Sequence, residues 1–207
     1  TTLDGYKNRL TDENKKILYS TDEVSQSTAL NMWTSQGKEV LKLDTVIDTQ
    51  FIPWLEEKNK EINFVRVDSE LDESIKDDSP ELADKDGNTK SETLKKMITS
   101  ALNNDKVTVK VQSLKGESSP PSLILLPEQM RRINDITALM EQKLPGLPEY
   151  HNLIVNSNHP LIQGLLKLNS NPIVVEGSSK SEESQLANDI AIHVYEMAKL
   201  SIGGLEN

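Results

Sequence analysis

The residues of this sequence best equipped for chemistry are its three histidines and its many carboxylates. His151, His159 and His193 are spaced too widely for any two to share a helical turn. A zinc site would need them to converge from distant parts of the chain, and with no cysteine there is no thiolate to assist. His159 stands in Asn156-Ser157-Asn158-His159-Pro160-Leu161, a pattern that reads as a turn capping a helix. Asp84, Asp86 and Asn88 match the first, third and fifth positions of a calcium-binding loop. Thr89 then occupies the glycine position, and Lys95 puts a cation where the bidentate glutamate belongs, so a solvated turn is the better reading. No glycine-rich phosphate loop and no nucleophile elbow occurs. A hydrolase or transferase using carboxylates and His159 is a rival reading, and it requires His159 in a cleft beside an acid.

The stronger chemistry is apolar. Leu126, Met130, Ile133, Thr137, Met140 and Leu144 recur at alternating steps of four and three, which lines one face of a helix. Packed on its own sheet, that face would be core. Exposed, it would hold nonpolar segments, a role that suits methionine's flexible, polarisable chain. Leu186, Ile190, Val194, Met197 and Ser201 form a second stripe, with Ala187, Ala191, Tyr195 and Ala198 beside it. A helix apolar on two sides must be covered on two sides, one cover being its own domain and the other a partner helix. A symmetric four-helix bundle is the natural completion, so the stripe is a candidate dimer interface.

Those stripes have to be held by a fold. Lys15–Ser20, Glu39–Leu43 and Asn63–Val67 read as strands. A helix between the first two is expected to be capped near Thr21 or Asp22 and to end at Gly37, and another over Asp48–Glu57 to open around Pro53. The strand–helix–strand order implies parallel pairing with a right-handed crossover, hence a small three-layer α/β/α subdomain over residues 1–75. Residues 76–92 read as a charged linker, part of a stretch from 68 that is nearly free of apolar side chains. Residues 93–207 read as an α+β domain with a short sheet and amphipathic helices. Its helices are predicted at Thr93–Leu102, Pro127–Leu144, His159–Leu168 and Ser181–Ile202, and its strands at Val107–Val111, Ser122–Leu126 and Asn152–Val155.

Bulk properties narrow the partners. The net charge is −10 and the pI about 4.9, which argues against nucleic acid and against an anionic membrane surface. No run of about 18 apolar residues exists to span a bilayer. The absence of cysteine fits a cytoplasmic home, and the lack of an initiator Met reads as a fragment.

Several segments resemble the bacterial ninety-kilodalton heat-shock chaperone family. LDGYKNRLTDENKKILYST and QGKEVLKLDTVIDTQFIPWL are similar to the last part of its middle domain, through Gly37, Glu39, Val40, Leu41, Ile47 and Asp48. LPEQMRRINDI, NSNHPLI and VYEMAKLSIGGL resemble its C-terminal dimerisation domain, with the final helix absent. The resemblance implies an ATP-dependent chaperone that forms a homodimer and binds partly folded client proteins. It implies no enzyme activity and no cofactor within this chain, because the ATP and magnesium site of the family lies upstream. Family members carry acidic, tryptophan and asparagine client contacts on the helix after the isoleucine–aspartate pair. By that likeness Phe51, Ile52 and Trp54 are candidate client contacts here, although an indole at such a position is more often core. Met130, Ile133, Thr137 and Met140 are the corresponding candidates on the amphipathic helix. The alternative is a scaffold or dimerisation module with no client role.

Overall fold

The computed structural model describes residues 2–10, 15–69, 71, 76–77, 89–116, 119–126, 150–170 and 180–202, and for residues 46, 49, 50, 169, 170 and 180–183 the backbone alone. Among them, α1 (Leu3–Lys7), β1 (Lys16–Ser20), α2 (Ser27–Ser35), β2 (Val40–Lys42), α3 (Val46–Lys58) and β3 (Asn63–Arg66) form the first unit. The second comprises α4 (Lys90–Leu102), β4 (Val107–Gln112), β5 (Ser122–Leu125), β6 (His151–Asn156), α5 (Pro160–Ser170) and α6 (Lys180–Ser201). The mixture of helices with small sheets is the one expected from the sequence. The helix predicted over Pro127–Leu144 lies outside the described residues, as does Asp84–Asn88.

In the first unit β1 is central, with β2 and β3 on either side and both parallel to it. Parallel neighbours cannot be joined by a tight turn, so α2 and α3 serve as the crossovers. Strand alternation sends Ile17, Tyr19 and Phe64 to one face, where they meet Tyr6 and Ile52. Burial pushes the Tyr6 hydroxyl pKa up. Leu18 and Val65 point the other way and meet Ala29, Met32 and Trp33 of α2.

In the second unit β6 is central, parallel to β4 and antiparallel to β5. One face, with Val107, Val109, Ile124, Leu153 and Val155, is covered by Leu94 and Ile98 of α4, Ile162 and Leu165 of α5, and Ala187, Ala191 and Val194 of α6. The opposite face carries Leu123, Leu125 and Ile154, which join Leu18, Met32, Trp33, Val65 and Val67 in a single buried cluster with Leu114. The two sheets therefore share a core. Lys76 and Asp77, expected within a linker, are seated on the second unit. Lys76 pairs with Leu114, and the Asp77 amide donates to the Ser113 carbonyl at 2.8 Å.

Three helix starts differ from expectation by more than one residue, each for a local reason. The α-helix of α2 begins at Ser27 because residues 22–26 form a separate turn. Asp22 accepts from the Val24 amide at 2.9 Å and the Ser25 hydroxyl at 2.8 Å, and these bonds hold its carboxyl pKa low. Pro53 lies inside α3 and does not open it. The helix opens at Thr45, whose hydroxyl accepts from the Asp48 amide while the Asp48 carboxylate accepts from the Thr45 amide. The same reciprocal box between Thr89 and Glu92 starts α4 at Lys90, before the predicted Thr93. Gly37 has φ +73° just past α2, the left-handed position assigned to it from sequence.

Candidate functional site

Helix α3 is tethered through one side only. Ile52 is 6% exposed and packs with Ile17, Tyr19 and Phe64. The candidate contact at Ile52 is thus placed in the core, because it lies on the face of α3 that covers β1 and β3. Phe51 and Trp54, 48% and 49% exposed, face solvent. Three residues apart on one helix, they meet as neighbours. Their ring centroids are 4.8 Å apart with planes 21° from parallel, a stacked pair. Ile47, four residues before Phe51, is still more exposed and extends the stripe along the same face. The tryptophan that commonly fills a core is here the surface residue, and its isoleucine neighbour fills the core. Pro53 has no N–H to give, so the carbonyl of residue 49 lacks its helical donor beside this stripe.

Helix α6 divides differently from its sequence stripe. Ala187, Ala191, Val194, Tyr195 and Ala198 are buried against the helix's own domain. Val194, a candidate dimer residue, belongs to that buried set, and its carbonyl accepts from the Ser122 hydroxyl at 2.9 Å. A stripe of i, i+4, i+8 steps drifts around the helix, which carries Val194 over the edge of the covered face. Leu186 and Met197 are exposed, Ile190 is partly buried, and the partly buried Ser201 hydroxyl donates back to the Ala198 carbonyl at 2.7 Å. Leu200, 56% exposed, continues the Leu186–Met197 face and was not among the dimer candidates.

Met130, Ile133, Thr137 and Met140 fall outside the described residues. Among the described residues no cluster of His, Asp and Glu could hold a metal ion, and no helix is long and apolar enough to cross a membrane.

Two of the three histidines take structural positions. His159 caps α5, its Nδ1 accepting from the Leu161 amide at 3.2 Å, with Pro160 at the first helical position. This is the helix start that the hydrolase reading could not accommodate. His151 Nε2 lies 3.0 Å from the Tyr195 hydroxyl, joining β6 to α6, and His193 is exposed.

Asn156 was missed by sequence reasoning as anything but a turn residue. It is 2% exposed. Its Oδ1 accepts from the Leu114 and Asn158 amides, each at 3.1 Å, and its Nδ2 donates to the Pro120 carbonyl at 3.2 Å. Asn158 in turn donates to the Asp77 carboxylate at 3.2 Å. The Asn-x-Asn spacing ahead of His-Pro was the available signal, since asparagine favours such local backbone bonding.

A sequence model of the Hsp90 protein family matches residues 1–206. The chain is 30% identical over 213 residues to the chaperone protein HtpG of Porphyromonas gingivalis, an alignment that covers 91% of this chain and 30% of that protein. It is 31% identical over 170 residues to the chaperone protein HtpG of Bacteroides thetaiotaomicron, covering 75% and 23%. A Bacteroides fragilis protein of the same name is 29% identical over 167 residues, covering 77% and 24%. The chain thus spans less than a third of the length of these relatives.

Proposed function

This chain belongs to the Hsp90 protein family, and from that premise we propose that it serves a molecular chaperone by holding partly folded client proteins on exposed apolar helix faces. The supporting observation is the solvent-facing Phe51–Trp54 stack with Ile47 beside it. An isolated stacked aromatic pair on a solvent face stabilises no core of its own. It offers a client rigid apolar area at low entropic cost, because aromatic side chains have few rotatable bonds. Each large side chain buried by a client contributes roughly 1.5–3 kcal/mol before ordering costs. In this reading Met130, Ile133, Thr137 and Met140 form a second client surface, and the first unit is the three-layer α/β/α end of a middle domain. ATP and magnesium act outside residues 1–207 of the longer protein, in the cytoplasm.

The test is binding of a fluorescently labelled, permanently unfolded polypeptide to the chain and to Phe51→Ser/Trp54→Ser. Both residues are half-exposed, so the variant should melt close to the parent while its Kd rises about tenfold or more. Unchanged affinity at unchanged stability would remove this face from the client reading.

The same reading assigns the Leu186, Met197 and Leu200 face of α6 to a homodimer. Leu186→Glu/Met197→Glu should leave the fold intact, because both side chains are about half-exposed in the single chain. Self-association measured by sedimentation should weaken at least about tenfold, the cost of removing central apolar anchors. Equal association constants for parent and variant would rule the face out.

A further inference from the structure

The end of β3 is built as a joint. Residues Arg66 to Ser69 form a turn closed by the Ser69 amide donating to the Arg66 carbonyl at 3.0 Å, with the Ser69 hydroxyl donating to the same oxygen at 2.8 Å. Across the turn, the Arg66 guanidinium grips the Asp68 carboxylate with two bonds, Nε to Oδ1 at 2.6 Å and a terminal nitrogen to Oδ2 at 2.9 Å. Both residues are buried. A two-pronged grip fixes orientation as well as distance, so it sets where the turn's carbonyls point. Two consecutive carbonyls are used. That of Val67 accepts from the Trp33 indole at 3.0 Å, within the first unit. That of Asp68 accepts from the Leu126 amide at 3.2 Å, in the second unit. Leu126 follows β5 directly.

We infer that the Arg66–Asp68 pair is a positioning device that couples the first unit to the exit of β5 in the second, by holding the Asp68 carbonyl on the Leu126 amide. Burial of an ion pair is not itself a stabilising choice, since apolar side chains of like volume do as well or better. What the pair supplies is direction. The shared core brings residues of both sheets into one cluster, and the joint ties one turn to one strand exit. A displacement of β3 is thereby passed to Leu126 and not absorbed between the units.

The test is amide hydrogen exchange on the whole chain, with no client present. In Arg66→Met/Asp68→Leu both members of the pair are removed together. The Leu126 amide should exchange about tenfold faster, as for a lost hydrogen bond, while Leu153 and Val155 in β6 keep their protection. Arg66→Lys, which keeps the charge but not the fork, should fall between parent and double variant. Should the double variant fail to fold, Ser69→Ala loosens the same turn more gently and should still raise Leu126 exchange several-fold relative to β6. Leu126 exchange that tracks β6 in Arg66→Lys and in Ser69→Ala would overturn the proposal and leave the pair as a buried charge pair only. Because no client is used, this outcome is independent of the Phe51–Trp54 binding result.

Discussion

Trp33→Ala is expected to lower the stability of the chain by about 3–5 kcal/mol, the usual range for truncating a fully buried tryptophan. For a chain of this size that corresponds to a fall in Tm of about 6–20 °C. Trp33 is 2% exposed, and its indole is the donor to the Val67 carbonyl. The substitution opens a cavity and strands that carbonyl together. The more telling feature is where the loss is felt. Trp33 packs in the cluster that also holds Leu123, Leu125 and Ile154 from the second sheet. The whole chain should melt earlier in one transition, followed both by far-UV circular dichroism and by exchange in β6. Trp33→Phe separates the two contributions. It keeps most of the ring volume and loses the N–H, so its cost should be about 1–3 kcal/mol. A Trp33→Ala chain in which α4, β4 and α6 melt at the parental temperature would show that the sheets do not share a core.

Asn156→Leu is expected to cost about 2–5 kcal/mol, close to the alanine substitution at Trp33 although it removes no volume. The reason is orphaned partners. The side chain is matched to the Leu114 and Asn158 amides and to the Pro120 carbonyl, and Leu114 is itself 2% exposed. A leucine there leaves each of those groups without its partner, at about 1–3 kcal/mol for each one that water cannot reach. Urea denaturation should show a lower midpoint with a similar slope, since the fold and its buried area are retained. Exchange should accelerate first at Leu114 and at Asn158, which flank the seat of Asp77. A midpoint within experimental scatter of the parent would mean that solvent satisfies these groups and that Asn156 is not a structural hub.

Tryptophan and asparagine mark the division between what was legible in advance and what was not. The family likeness rested on segments in order, and the family model and the HtpG relatives support it over nearly the whole chain. The parallel pairing of β1 and β2 could be inferred because a helix of sufficient length lies between them, whereas their register, Leu18 against Val40, could not. His159 as a cap and Gly37 as a left-handed stop were readable because each acts on atoms within a few residues. The boxes at Thr45 and Thr89 are equally local, and they set the two helix starts, ahead of Pro53 and Thr93. In those places the sequence carries the information within four residues.

Exposure was a different matter. Periodicity groups Phe51 with Ile47 and Trp54, and separates them from Ile52, but it does not say which group is covered. Val194 shows the same ambiguity on α6, since its stripe straddles the boundary of the buried face. By itself, the sequence determined the caps, the periods, the acidic surface and the family, all of which depend on residue type and short-range geometry. Only the tertiary structure decided that Ile52 and Val194 turn inward, that Asn156 gathers three separate segments, and that Trp33 serves both sheets. Each of those depends on a cover or a partner supplied from far along the chain, and a side chain's burial is a property of what comes to lie over it.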